Sequence, residues 1–205
     1  MLSLSVIDFP SWDAKLFAFL NGLHVDWLDP IMVAISSVPI WIPLYLVIGF
    51  FIFKKYKWNG LICIAAAALC IVTVDQMSTV IKYAIERPRP CNALVSVHLL
   101  EGCGSGYSFL SNHASNVFGF AMITALFFKK RPYAIFIFIW AFVVAYSRIY
   151  LGKHYPLDII GGAAFGMFVG GGYYLSVLLY RDVRNYLRLG KILSLFIFRP
   201  IPRVA

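Results

Sequence analysis

Long apolar runs recur along this chain, at residues 38–53, 60–81, 113–128, 133–150 and 156–180. Crossing a hydrocarbon core takes about 20 apolar residues as a helix. Within lipid, every backbone N–H and C=O must find a partner inside the protein, which a helix provides along its own length. The fold class expected is therefore all-α: an integral membrane bundle of about five or six transmembrane helices, in one domain over residues 1–205. Composition agrees, with 61% hydrophobic and 13% charged residues. That balance excludes an ordinary soluble domain. The uncertain sixth segment is 14–37, where Asn21, His24, Asp26, Asp29 and Pro30 interrupt the apolar pattern. Residues 1–37 read as an amphipathic, interfacial or partly inserted segment, with a broken span as the alternative. No signal peptide is evident, because Asp8, Pro10 and Asp13 replace a basic start and apolar run.

The cations follow two rules. Lys54, Lys55 and Lys57 end one span and Lys129, Lys130 and Arg131 end another, while Arg181, Arg184, Arg188, Lys191, Arg199 and Arg203 form a basic tail over 181–205. Alternating spans put all three groups on one side, which the positive-inside rule makes the cytoplasm. Lys82, Arg87, Arg89, Arg148 and Lys153 fall on the other side and break that rule. They lie in the same stretches as His113, His154 and Asp158, so we read one cationic pocket for an anion. The net charge of +9 is divided between topology and this pocket. It does not indicate nucleic acid, since no soluble basic face or nucleic-acid motif is present.

Three stretches carry the chemistry. Residues 147–158 hold a fixed cation (Arg148), a nucleophile or base (His154) and a carboxylate (Asp158). His154 and Asp158 are four apart, one helical turn, so they share a face. Pro156 suits the first turn, where its missing N–H is harmless. The carboxylate can then orient the imidazole; a His–Asp pair that merely caps a helix accounts for the same residues. In the second stretch Lys82 ends a span and Arg89 stands between Pro88 and Pro90, presenting a planar fork to phosphate oxygens. Snorkelling at a membrane edge is the plainer account of both. Arg87 reads equally as a surface charge paired with Glu86, and Asp75, two turns before Lys82, as at most a supporting group. In the third stretch Ser111 opens a span, where free N–H groups and the helix dipole favour an anion. His113 is placed to protonate a leaving oxygen. Ser115 and Asn116 read as ordinary helix residues, and His24 and His98 as loop or interface residues.

Together these stretches resemble the type 2 phosphatidic acid phosphatases, whose site is shared with glucose-6-phosphatases and vanadium haloperoxidases. The first family motif, Lys, six residues, Arg-Pro, matches Lys82, Arg89 and Pro90. The second, Pro-Ser-Gly-His, reads here Leu110-Ser111-Asn112-His113. The third, Ser-Arg, five residues, His, three residues, Asp, matches Ser147, Arg148, His154 and Asp158. The departures are Leu110 for Pro and Asn112 for Gly. The resemblance implies that His154 attacks phosphorus, Asp158 orients it and His113 protonates the leaving group. It implies phosphate ligands Lys82, Arg89, Ser111, Asn112 (through its backbone) and Arg148, with no metal or other cofactor. The sequence agrees, lacking a carboxylate cluster for Mg²⁺ or a Cys/His set for zinc.

The expected function is thus a lipid phosphatase acting at the membrane edge. The substrate expected is a lipid phosphate such as undecaprenyl diphosphate, phosphatidylglycerophosphate or phosphatidic acid. Lipid A dephosphorylation or phosphotransfer at the same site is the alternative, and a transporter or scaffold with a residual anion site the non-enzymatic one. The bilayer is the expected environment, specifically a bacterial inner membrane with the pocket facing outward; no obligate protein partner is evident. Residues 83–112 form the outer loop, where Cys91 and Cys103 are expected to pair in an oxidising exterior. Cys63 and Cys70 lie within a span and read as small apolar residues.

Overall fold

A computed structural model describes residues 8–197 of the chain, with side chains to residue 187. The helices are α1 (Ser11–Asn21), α2 (Asp29–Ser36), α3 (Ile42–Tyr56), α4 (Trp58–Ile85), α5 (Pro90–Ala93), α6 (Asn112–Phe128), α7 (Arg131–Tyr150) and α8 (Pro156–Ile197). Among the described residues there is no strand. Four helical stretches are long and apolar enough to cross a membrane: Val38–Tyr56, Trp58–Ala93, Arg131–Tyr150 and Pro156–Leu187. α6 is not among these four; it has 17 residues, about 25 Å at 1.5 Å per residue.

α6 is the axis of the bundle. It packs against α4, α7 and above all α8. The α6–α8 seam is made close by glycine: a Cβ on Gly166 would stand 2.1 Å from the Ser115 carbonyl oxygen, and one on Gly170 2.5 Å from that of Gly119. Without water to drive helices together, such small-residue contacts provide membrane packing. Around α6 gather Cys70, Val74, Phe120, Ile123, Phe127, Ile137, Ala141 and Val144, all buried. At the opposite faces Phe50, Val72, Phe142, Ile160 and Phe168 are exposed, as lipid-facing positions should be.

The helix ends follow from local chemistry. α3 and α4 are joined by Lys57 alone, at φ 53°. Lys55 donates to the Phe127 and Phe128 carbonyls at the end of α6, 2.8 and 2.9 Å away, satisfying acceptors the helix leaves free. The basic stretch from 181 continues α8 as helix rather than forming a separate tail. Arg184 there donates to Asn59 Oδ1 at 3.0 Å. Arg199 and Arg203, and the side chains of Arg188 and Lys191, lie outside the described residues.

The N-terminal segment is more structured than its interrupted pattern suggests. α1 turns Asp13, Phe17 and Asn21 inward, at spacings of four, and leaves Trp12, Leu16 and Phe19 exposed. Two polar side chains, Asp13 and Asn21, are inside while large apolar ones face outward, the arrangement of a helix flanked by lipid. Asn21 explains the interruption. It donates to the Tyr150 and Ile149 carbonyls at 2.9 and 3.1 Å and accepts the His98 N–H at 2.9 Å, tying α1 to the end of α7 and to the outer loop. His98 is a structural residue of that loop: its ring stacks on His24 at 3.7 Å and contacts Asp29 at 3.1 Å.

Candidate active site

Each motif sits at one end of a bundle helix, because a span must stop where its charged residues begin. Lys82 is in the last turn of α4, Arg89 in the loop after it, Asn112 and His113 at the start of α6, Arg148 in the last turn of α7 and His154 just before α8. Packing α4, α7 and α8 around α6 brings these ends to one side of the membrane. There Lys82, Arg89, Asn112, His113, Arg148 and His154 line one cavity of about 480 Å³. Deeper in, its wall is Trp41, Tyr45, Ile71, Val117 and Val144. A charged mouth above an apolar slot matches a molecule with one ionic and one hydrocarbon end.

The cations are held by backbone and hydroxyl oxygens, not by carboxylates. Lys82 Nζ donates to the Tyr107 carbonyl at 3.4 Å. Arg89 donates to the Gly106 and Ser105 carbonyls, each at 3.3 Å. Arg148 donates to Ser36 Oγ at the end of α2, and its Nε is buried without a partner. None of the three is neutralised by a bonded acid, so their charge is available to an anion. Lys153, by contrast, is taken up by Glu101 at 2.6 Å and does not line the cavity.

His154 is 2% exposed and follows a tight turn at Gly152, where φ is +76°. Its N–H and that of Lys153 both donate to the Arg148 carbonyl, at 3.3 and 3.0 Å, so cation and histidine are built as one unit. Burial pushes the imidazole from its ordinary 6.5 down to about 4, against the raising effect of Asp158. The shift favours the neutral imidazole. Its Nδ1 stands 3.6 Å from Asp158 Oδ2, a charge contact longer than a hydrogen bond.

Asp158 does not line the cavity; it is fully buried behind His154. It accepts from the Tyr155 N–H at 2.8 Å, from Ser108 Oγ and from Arg87 Nη1 at 2.6 Å. Arg87 therefore corrects the sequence reading. It is not a surface partner of Glu86 but a buried fork between Asp158 and Asp13, the latter at 2.5 Å. The rings of Phe9 and Tyr155 lie 3.7 and 3.9 Å from its guanidinium carbon. Asp13 also accepts the Leu157 N–H at 2.9 Å, so α1 reaches the first turn of α8. Asp13, Ser36, Arg87 and Ser108 are site residues that motif spacing did not reveal. Arg87 had one sequence signal, its place among the cations that break the positive-inside pattern.

Ser111, expected as a phosphate ligand, is the cap of the central helix. It is fully buried, lies off the cavity wall, and accepts the Ala114 N–H at 3.4 Å as the cap of α6. Its own N–H donates to the Asp158 carbonyl at 3.1 Å. The α6 N-terminus is thereby fixed against α8, which sets the position of His113. Asp75 and Asn116 do line the cavity, so Asn116 is more than an ordinary helix residue. Cys91 and Cys103 are joined, with Cα atoms 5.9 Å apart.

Fold and site together define a helical membrane phosphatase. Residues 56–182 match the PAP2 superfamily, and the chain belongs to that family. It is 38% identical to a lipid A 4'-phosphatase of Bacteroides thetaiotaomicron over 79% of this chain and 75% of that protein. It is 31% identical to an undecaprenyl-diphosphatase of Sulfolobus acidocaldarius over 81% and 77%. The crystal structure of Aquifex aeolicus LpxE superposes with a TM-score of 0.64 at 28% identity, covering 83% of this chain and 98% of that one. The chain is accordingly an enzyme, a hydrolase of phosphate esters.

Proposed function

We propose that this protein removes a phosphate group from a membrane lipid through a phosphohistidine on His154. The observation that carries the reading is the cavity in which a neutral, buried histidine and a second histidine meet three cations not bonded to acids. His154 attacks phosphorus as the lipid oxygen departs, and His113 gives that oxygen its proton. Lys82, Arg89 and Arg148 hold the phosphoryl oxygens and stabilise charge as it develops. Water then attacks the phosphohistidine, with His113 as base, and releases phosphate. Asp158, held by Arg87 and Ser108, stabilises the imidazole as it gains positive character.

The relatives favour a phosphomonoester on lipid A over undecaprenyl diphosphate, since the lipid A 4'-phosphatase shares 38% identity and the undecaprenyl-diphosphatase 31%. The pocket faces the exterior or periplasm of a bacterial inner membrane, opposite Lys54, Lys129 and Arg131. Purified protein in detergent is expected to release phosphate from such a lipid. Brief acid-free quenching with labelled substrate should trap an alkali-stable, acid-labile phosphoenzyme. Its absence under single-turnover conditions, with phosphate still released, would exclude the covalent step.

A further inference from the structure

Between the cationic mouth of the cavity and its apolar depth lies a set of polar groups that the phosphoryl chemistry does not use. Asp75, Thr79 and Lys82 follow one face of α4, and Asn112 and Asn116 one face of α6; all five line the cavity. Asp75 is seven residues before Lys82, about 10 Å deeper along the helix axis. Its Oδ1 accepts from Asn112 Nδ2 at 2.9 Å and from Asn116 Nδ2 at 3.3 Å. A carboxylate only accepts, so it turns both amide nitrogens toward itself and leaves their oxygens without that partner. Asn112 Oδ1 and Asn116 Oδ1 are consequently buried without any hydrogen-bond partner. Two bare amide oxygens in a bundle interior are unfavourable unless a donor reaches them. Asn112 moreover stands where the family motif has Gly, so this chain adds a side chain at that point.

We propose that Asp75, Asn112 and Asn116 determine specificity by accepting hydrogen bonds from hydroxyl and amide N–H groups of a sugar carrying the phosphate. The proposal rests on the lipid phosphatase reading and deepens it. The layers of the cavity then correspond to layers of one substrate: phosphate against the cations, sugar against the acceptors, acyl chains against Tyr45, Ile71 and Val117. A polyprenyl phosphate brings hydrocarbon to that depth, and phosphatidic acid brings ester oxygens. Neither donates to an acceptor, and hydrocarbon against Asp75 leaves a carboxylate facing apolar atoms.

The test compares kcat/KM of the full chain in detergent on three probes: lipid A bearing a 4'-phosphate, phosphatidic acid and farnesyl diphosphate. Wild type, Asp75→Asn, Asn112→Gly and Asn116→Leu are measured on each. The near-isosteric Asp75→Asn and the motif-restoring Asn112→Gly guard against simple misfolding. The ratio of kcat/KM for lipid A to that for phosphatidic acid is expected to fall roughly tenfold or more in each variant, mainly through KM, because sites built to bond a substrate group discriminate strongly by it. Equal losses on all three probes, or no loss, overturn the assignment while leaving the phosphatase reading intact. Absence of phosphate release from every probe by wild type overturns both.

Discussion

At the scale of residues, the site separates a reacting layer from a supporting layer. His154→Ala is expected to abolish turnover in a folded protein, since it removes the proposed attacking nitrogen; steady-state phosphate release by the purified variant is the check. Asp158→Asn should be slower but measurable, because the imidazole remains. Its pH profile carries the sharper information. Asp158 raises the proton affinity of His154 and Lys82 lowers it. The acid limb of kcat/KM should therefore move to lower pH in Asp158→Asn and to higher pH in Lys82→Met. The sign follows from the folded state: burial keeps His154 neutral below 6.5, where the unfolded chain binds a proton, so the histidine's contribution to stability declines as pH falls from 6.5 toward 4. Arg87→Ala removes the cation between two buried carboxylates. Breaking such a network by one partner costs about 3–5 kcal/mol, and thermal denaturation should register it. Asp13→Asn, which keeps the shape, should lower kcat more than it changes KM.

Among the elements, the α6–α8 contact is the most restrictive. Every atom larger than hydrogen at Gly166 meets the Ser115 carbonyl. Gly166→Ala is expected to lower stability by about 1–3 kcal/mol, the usual range for overpacking, and to reduce activity, because the same seam sets His113 against His154. Full activity with an unchanged melting temperature would contradict this. The outer loop makes a second case. Cys91 and Cys103 close a loop with a separation of 12 residues, and Arg89 reaches across to the carbonyls of Ser105 and Gly106 just beyond it. A cross-link of this size contributes about 2–4 kcal/mol by restricting the unfolded chain. Cys91→Ser should lower the melting temperature and raise KM more than it lowers kcat. Alkylation of both thiols without reductant, read by mass spectrometry, is the direct contrary result.

For the molecule as a whole, two expectations concern charge and sidedness. The positive charge at the site comes from side chains, so activity should survive a chelator and vanadate should inhibit by occupying the phosphoryl site. Activity lost in chelator and restored by Mg²⁺ would refute the first. Sidedness is testable at Val95, which is 95% exposed in the outer loop, and at Lys130 on the opposite face. An impermeant thiol reagent on intact cells should label Val95→Cys and spare Lys130→Cys; the reverse pattern inverts the orientation. The native thiols give little background, because Cys63 and Cys70 are buried and the other two are paired.

What the sequence determined by itself is whatever depends on distance along the chain. Apolar length located the spans, and the offsets from Lys82 to Arg89 and from His154 to Asp158 located the chemistry, because helix geometry turns such offsets into directions. Tertiary structure decided the rest. Arg87 lies 74 residues from Asp13 and 71 from Asp158, and nothing in its neighbours distinguishes a buried fork from a surface charge. Ser111 was legible as the opening of a span, but its backbone bond to the Asp158 carbonyl, which fixes α6 against α8, was not. α1 looked like an interrupted apolar run; its Asp13 and Asn21 are polar because they face α7 and α8, not water. A buried polar group is defined by its partner, and in a helical bundle that partner belongs to another helix, at a separation no local pattern encodes.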